Sequence, residues 1–394
     1  MIYGFLIIDI LLFLVLVAAF FNGYSNGLLR SISGIVGLVL GAFAAYLVVP
    51  LVGSWVPAPE WRAAATLAAV IVLVFGGLSL GLSVGRRIGR RARKSVLGWL
   101  DRLLGAAFTL VATALAMSML AFSLGTLGIP GVSTTIASSG VIRTINSVTP
   151  DPIQSWLAQL RSVAVAEGLP LITDVFDGPA PILPDQAIDN PDVATAVKSV
   201  VRITGNAFAC GQNQSGSGFV AAPGRIVTNA HVVSGVTEPV VESPDGEVLQ
   251  GTIVYFDAAV DLAVIAVPGL NTPALNLGKN LAPGGIGVAA GYPFGGPFVA
   301  DPATVIALGP LVLQETTSQS LSAREVYTLA SDIQQGESGG PLLSDTGHVV
   351  GVVFAKSAQT PNVGYALGMR EVSPVVDQAA GLSEPVSSGS CVRG

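Results

Sequence analysis

Histidine and cysteine each occur only twice in this 394-residue chain, and charged residues make up only 11% of it. Two of each, so widely separated, lack the tight ligand spacing of a Cys/His metal site, so no metal or other cofactor is expected. So little charge is unlike an ordinary soluble surface. The net charge of −6 offers no positive footprint for displacing counterions, which excludes nucleic acid as a partner. What fills the chain instead is apolar: 51% of the residues, with a mean hydropathy of +0.67.

The charge is unevenly placed. Residues 1–127 carry nine Lys/Arg against three Asp/Glu, residues 128–191 two against six, and residues 192–394 eight against sixteen. A basic apolar part and an acidic part imply two environments. Four apolar runs, near residues 4–21, 32–52, 63–85 and 103–127, reach the length of about 20 residues that a bilayer crossing requires. They predict a four-helix transmembrane domain over 1–127. Seven basic residues in RRIGRRARKSVLGWLDR (86–102) mark that connection as cytoplasmic, and Arg30 agrees with it. The amino terminus and everything after residue 127 are then extracytoplasmic. A cleaved signal peptide over 1–22 is disfavoured, because no basic segment precedes the apolar run. Asp9 lies inside the first span, where it either hydrogen-bonds a neighbouring helix or serves a function. Gly34, Gly37 and Gly41 permit close helix packing. DILLFLVLVAAFFNGYSNGLLRSISGIVG and DRLLGAAFTL together resemble the colicin V production family.

Residues 128–191, rich in Pro, Ser, Thr and Gly, read as an extracytoplasmic linker, either a tether or a wrapping arm. Within it, 153–167 has a helical pattern with Trp156, Leu157, Leu160 and Val163 near one face. From about residue 192 the pattern changes to short β-rich runs between Gly/Pro turns, as in a sandwich or barrel.

This last part holds both histidines. The stretch QQGESGGPLL (334–343) presents Ser338 in a glycine-rich turn that also reads as G-x-S-x-G. An α/β-hydrolase with that elbow needs its acid and then its histidine after the serine. His348 follows Ser338 by only ten residues, which leaves no room for them, so His348 is a hairpin residue. His231 in IVTNAHVVSG remains as the base, and YFDAAVDLAVIAV (255–267) offers Asp257 or Asp261 as the acid. The order His, Asp, Ser is that of the chymotrypsin clan.

TNAHVV, DLAVIAV and GESGGPLL, in this order, resemble the trypsin-like serine proteases, especially the bacterial HtrA-like branch. The resemblance implies an all-β chymotrypsin-like double β-barrel over 192–394, with His231, Asp261 and Ser338 as the catalytic set. It favours Asp261 over Asp257, since the acid in that branch directly precedes the Leu-Ala-Val strand. It further implies an oxyanion hole from the N–H groups of Gly336 and Ser338. Asp332 would stand at the base of the primary pocket, and Phe354 and Ala355 would pair with the substrate backbone. Glu337 departs from the Asp or Asn common before the nucleophile. No PDZ-like domain is expected after Gly394.

Cys210 and Cys391 both fall in the outward part, and neither has another intramolecular partner, so they are expected to pair. The bond would pin a Ser/Gly-rich tail with little other reason for order. The combined halves resemble the MarP-type membrane-anchored proteases of actinobacteria. That resemblance implies a periplasmic endopeptidase of acid and oxidative stress acting on proteins or peptides, cell-wall hydrolases among them. The competing reading is a membrane scaffold or pore with an inactive trypsin-like binding module.

Overall fold

The computed structural model describes residues 2–55, 59–92, 98–125, 139–162, 169–173, 176, 178–184, 190–207, 212–314 and 321–389. The chain divides into two compact units, Met1–Ser118 and Met119–Gly394.

The first unit is helical: α1 (Ile2–Asn26), α2 (Leu28–Trp55), α3 (Pro59–Ala92) and α4 (Gly98–Gly125), the last running past its boundary. Each helix contains a window long and apolar enough to cross a membrane: Ile8–Asn26, Leu28–Val48, Ala68–Ile88 and Gly98–Ala121. The number of expected spans is met; their edges differ. Arg86, Arg87, Arg90 and Arg91 extend α3 rather than forming a loop, since arginine is a good helix former. Arg30 likewise belongs to the first turn of α2. Asp9 is half-buried on α1.

Glycines explain the tight pairing of α2 with α3. A Cβ on Gly37 would strike the backbone of Gly77 and Gly81, and one on Gly77 would strike Gly37 and Gly41. Only bare backbones fit at that distance. Between α1 and α2 a single residue, Gly27, takes a left-handed φ of 75°. Asp101 of α4 accepts from the N–H of Leu28 at 3.1 Å and of Leu29 at 3.4 Å, capping the start of α2.

The second unit begins with α5 (Gly140–Val148), α6 (Asp151–Ser162), β1 (Leu171–Ile172) and α7 (Pro191–Ala196). The expected apolar face of α6 is not the buried one. Trp156 and Leu160 are exposed while Ala158 is buried, and Val163 lies outside the described residues. A small side chain is needed because Ala158 packs directly on the backbone of Gly296.

The first barrel comprises β2 (Val200–Ala207), β3 (Gln212–Ala222), β4 (Arg225–Thr228), the short α8 (Ala230–Val233), β5 (Val240–Glu242), β6 (Val248–Gln250), β7 (Thr252–Asp257) and β8 (Leu262–Ala266). Its antiparallel order is β6-β5-β2-β3-β4-β8-β7, and since β6 and β7 are separated only by Gly251, the ring closes through the chain itself. The second comprises β9 (Ile286–Gly291), β10 (Val299–Gln314), β11 (Leu321–Ala330), β12 (Pro341–Leu343), β13 (Val349–Ser357) and β14 (Val363–Leu367), followed by α9 (Met369–Ala379). The run β13-β12-β9-β10-β11-β14 closes by β13 pairing with β14, while β1 adds to β13 in parallel. Each barrel has an apolar core: Val201, Ile203, Ile226 and Ile265 in the first, Val305, Leu329, Leu342 and Val353 in the second. A third cluster joins Phe219 and Val264 of one to Val352 and Tyr365 of the other. This is the double β-barrel that the sequence predicts.

Beyond α9 the tail returns to the first barrel. Val386 N–H donates to Ile253 O at 2.9 Å, Gly235 N–H to Ser388 O at 3.2 Å, and Ser388 Oγ to Val236 O at 2.8 Å. The tail up to residue 389 therefore has hydrogen bonds of its own to the first barrel, a reason for order beyond the expected disulfide. Cys210 and Cys391 themselves lie outside the described residues.

Candidate active site

His231 stands on α8, just after β4, and Asp261 stands in the turn leading into β8. Because β4 and β8 are paired neighbours, the two loops emerge side by side. Asp261 has a φ of 64°, a left-handed conformation that aspartate tolerates better than most residues. That backbone aims the carboxylate at His231. The ring Nδ1 lies 2.9 Å from Oδ2 and 3.1 Å from Oδ1, and the His231 backbone N–H donates to Oδ1 at 3.0 Å. Nδ1 therefore carries a proton and donates it to the carboxylate. Asn229 Nδ2 completes the link by donating to Asp261 O at 2.8 Å. His231 Nε2 is buried without a protein partner.

Asp257 does something else. Its Oδ1 accepts from Ala259 N at 2.8 Å and from Val260 N at 3.2 Å, so it closes the turn that Asp261 ends.

Ser338 enters from the second barrel, in the turn before β12. Its Oγ donates to Phe354 O over 3.4 Å, a long bond and easily exchanged. Gly216 shows how near the two barrels come here, for a Cβ there would strike the Val232 side chain and crowd Ser338 O. Gly336 and Gly339 have φ of 93° and 86°, conformations a side chain would strain. The Gln335 carbonyl accepts from Phe294 N, so the trans peptide points the Gly336 N–H the opposite way. The Glu337 carbonyl accepts from Gly340 N at 2.9 Å, which orients the Ser338 N–H similarly. Neither N–H has a partner among the described residues. Two free donors beside a serine suit a developing oxyanion.

Ser217 of β3 ties the barrels together, a role that G-S-G in the sequence gives no sign of. It is fully buried. Its N–H donates to Ser338 O at 2.8 Å, and its Oγ donates to Gly336 O at 2.7 Å and accepts from Tyr292 N at 2.9 Å. Thr228 Oγ1 donates to Ser217 O at 2.7 Å.

Glu337 is buried beneath the turn, with Oε2 accepting from Gln334 N and Oε1 unpartnered. Burial pushes its pKa up to about 8. The Gln334 N–H works against that rise, Asp301 and Asp332 add to it, and Lys356 opposes it. Asp301 is also raised, by burial and then by Asp332. Asp332 is exposed and accepts from Gln334 Nε2 at 2.6 Å. Ala355 is buried and registers with Tyr365 of β14. His348 lies on its hairpin against Thr346 Oγ1 at 3.0 Å, away from Ser338. Among the described residues no His/Cys/Asp/Glu group could hold a metal ion.

Comparison with known proteins agrees with both parts of the chain. Residues 8–150 match the colicin V production protein family and residues 216–352 the trypsin-like peptidase domain. The serine protease Rv3671c of Mycobacterium tuberculosis H37Rv is 33% identical over 396 residues, covering 98% of each chain. The putative serine protease HhoB of Synechocystis is 33% identical over 168 residues, 41% of this chain and 39% of that one. The crystal structure of the Rv3671c protease, active form, superposes with a TM-score of 0.52 at 36% identity, covering 56% of this chain and all of the other. The chain therefore belongs to the family of Rv3671c, serine endopeptidases that join a colicin V production-like amino-terminal part to a trypsin-like domain.

Proposed function

We propose that this protease cuts peptide bonds with Ser338 as nucleophile, His231 as general base and Asp261 as the group that orients it. The observation that carries this reading is the double grip of Asp261 on His231, which leaves Nε2 as the one ring nitrogen able to accept a proton. Ser338 Oγ releases Phe354 O and gives its proton to Nε2 as it attacks the scissile carbonyl. The imidazolium so formed is stabilised by the Asp261 carboxylate. The N–H groups of Gly336 and Ser338 receive the oxyanion. His231 then returns the proton to the leaving amine, and a water repeats the sequence on the acyl-enzyme. Phe354 O is placed to accept from the substrate N–H beside the scissile carbonyl.

Four apolar helices anchor the protease to a membrane, and the basic stretch from Arg86 to Arg102 supports the extracytoplasmic side for the barrels. The resemblance to actinobacterial stress proteases supports a role in acid or envelope stress, with cell-wall hydrolases among the substrates.

A fluorophosphonate probe tests the chemistry. It should label the wild type, fail on Ser338→Ala, and label His231→Ala far more slowly, with kcat reduced about 10⁴-fold in either variant. Undiminished labelling of Ser338→Ala would overturn the assignment. Reporter fusions after residue 127 should read outside, and those at residues 90–95 inside. The reverse pattern would place the barrels in the cytoplasm.

A further inference from the structure

Beside Ser338 the chain is already paired with a piece of itself. Phe354, Lys356 and Ala358 alternate by two along β13 and its continuation, so their backbone groups share one edge. Phe354 O on that edge meets Ser338 Oγ. Two residues on, Lys356 N–H donates to Pro170 O at 3.3 Å, and Ala358 N–H donates to Ile172 O at 3.0 Å. An extended substrate with its scissile carbonyl at Ser338 must add to this same edge, because β14 takes the other.

The direction of β1 decides what it can do there. It runs parallel to β13, with Leu171 opposite Lys356 and Ile172 opposite Ser357. The carbonyls of Pro170 and Ile172 are taken by Lys356 and Ala358, beyond the reach of Ser338. The segment therefore occupies the donors a substrate needs and presents no bond to be cut. Its side chains hold it in place. Leu169 packs on the cluster containing Ile333 and Val353, Ile172 is 8% exposed, and Phe176 packs on the cluster between the barrels. Asn362 Nδ2 donates to Pro181 O at 3.3 Å, which continues the attachment along the loop before β14.

We propose that residues 169–172 form an autoinhibitory strap, a strand laid in reverse on the substrate-binding edge that must lift before a polypeptide can enter. The inference rests on Ser338 being the nucleophile. A strap docked nine-tenths of the time raises KM about tenfold and leaves kcat unchanged, since the open fraction alone binds.

The full chain in detergent micelles tests it, with fluorescein-labelled casein as substrate and a fluorophosphonate as a small probe of Ser338. Ile172→Asp, and a second variant with residues 169–173 replaced by Gly-Ser-Gly-Ser-Gly, should each lower KM about tenfold at equal kcat and equal labelling. A synthetic peptide of residues 168–174 should inhibit either variant competitively and stay intact. Intact labelling with unchanged or higher KM would overturn the strap, as would cleavage of the peptide. If Ile172→Asp loses labelling, the glycine-serine variant decides. Loss of labelling in both would make the segment a structural support and end the proposal. A wild type that never labels would instead point to failure of the Ser338 assignment, on which the strap depends.

Discussion

Ser217 Oγ donates to the carbonyl of Gly336 across 2.7 Å, so a strand of the first barrel fixes the turn that carries Ser338 in the second. Both groups are buried, and the same hydroxyl serves Tyr292 N. Ser217→Ala leaves an acceptor and a donor unpaired without opening a large cavity. A stability loss of about 1–3 kcal/mol is expected in denaturant unfolding. Freed from its tie, the turn should also lose alignment, with kcat falling about 10²-fold while KM changes little. An unchanged kcat would show that the glycine turn holds its shape without the first barrel.

Asp261 and Asp257 lie four residues apart and should respond very differently. Asn tolerates the left-handed backbone of position 261, so Asp261→Asn keeps the fold. It should still lower kcat by about 10⁴-fold, because an amide there no longer fixes the histidine tautomer. Asp257→Asn weakens a turn, costing about 1 kcal/mol, with kcat within a few-fold of wild type. The opposite ranking in steady-state kinetics would exchange their roles.

Glu337 gives stability a pH dependence of definite sign. Burial raises its pKa from 4.5 to about 8, so the folded protein holds a proton that the unfolded chain has released over that range. Its contribution is fully present below 4.5 and is lost as pH rises through about 8. The melting temperature of wild type should fall between pH 6 and pH 8.5, and Glu337→Gln should flatten that fall. Equal slopes in the two proteins would mean that the carboxyl is ionised throughout.

Much of this was legible from the sequence because the signals are local. Four long apolar runs need no partner to be recognised, and Gly336 and Gly339 announce a turn that only glycine adopts freely. His231 and Ser338 stood out because histidine is so scarce. What the sequence could not show depends on contacts between distant segments. Ser217 looks like any serine in a Gly/Ser run until β3 is placed against the 336–338 turn. Asp101 looks like a surface acid until α4 meets the start of α2. The buried face of α6 was not legible either, because the apolar pattern marks its largest side chains, whereas close approach to Gly296 selected Ala158.

The cysteines remain an expectation that solution chemistry can check. Ser388 binds Val236 O, and Val236 packs where a Cβ on Gly205 of β2 would sit, so the tail reaches the strand that precedes Cys210 in the sequence. Mass analysis of the oxidised protein should find Cys210 joined to Cys391, and reduction should lower the melting temperature. The chain-entropy limit for a loop of about 180 residues is roughly 5 kcal/mol, and the tail's own bonds should leave less than that to lose. Two free thiols in the oxidised protein would remove the bridge.

The returning tail also bears on what can be cut. α9 rests on β3, β4 and β8 of one barrel and on β11 and β13 of the other, and the residues after it are bonded to Ile253, Gly235 and Val236. The polypeptide thus laces the two barrels together on its way to the carboxyl terminus. A cleft so fastened is expected to take a single extended thread rather than a folded domain, which would favour as substrates proteins that have frayed, keep a loose end or carry an unstructured loop.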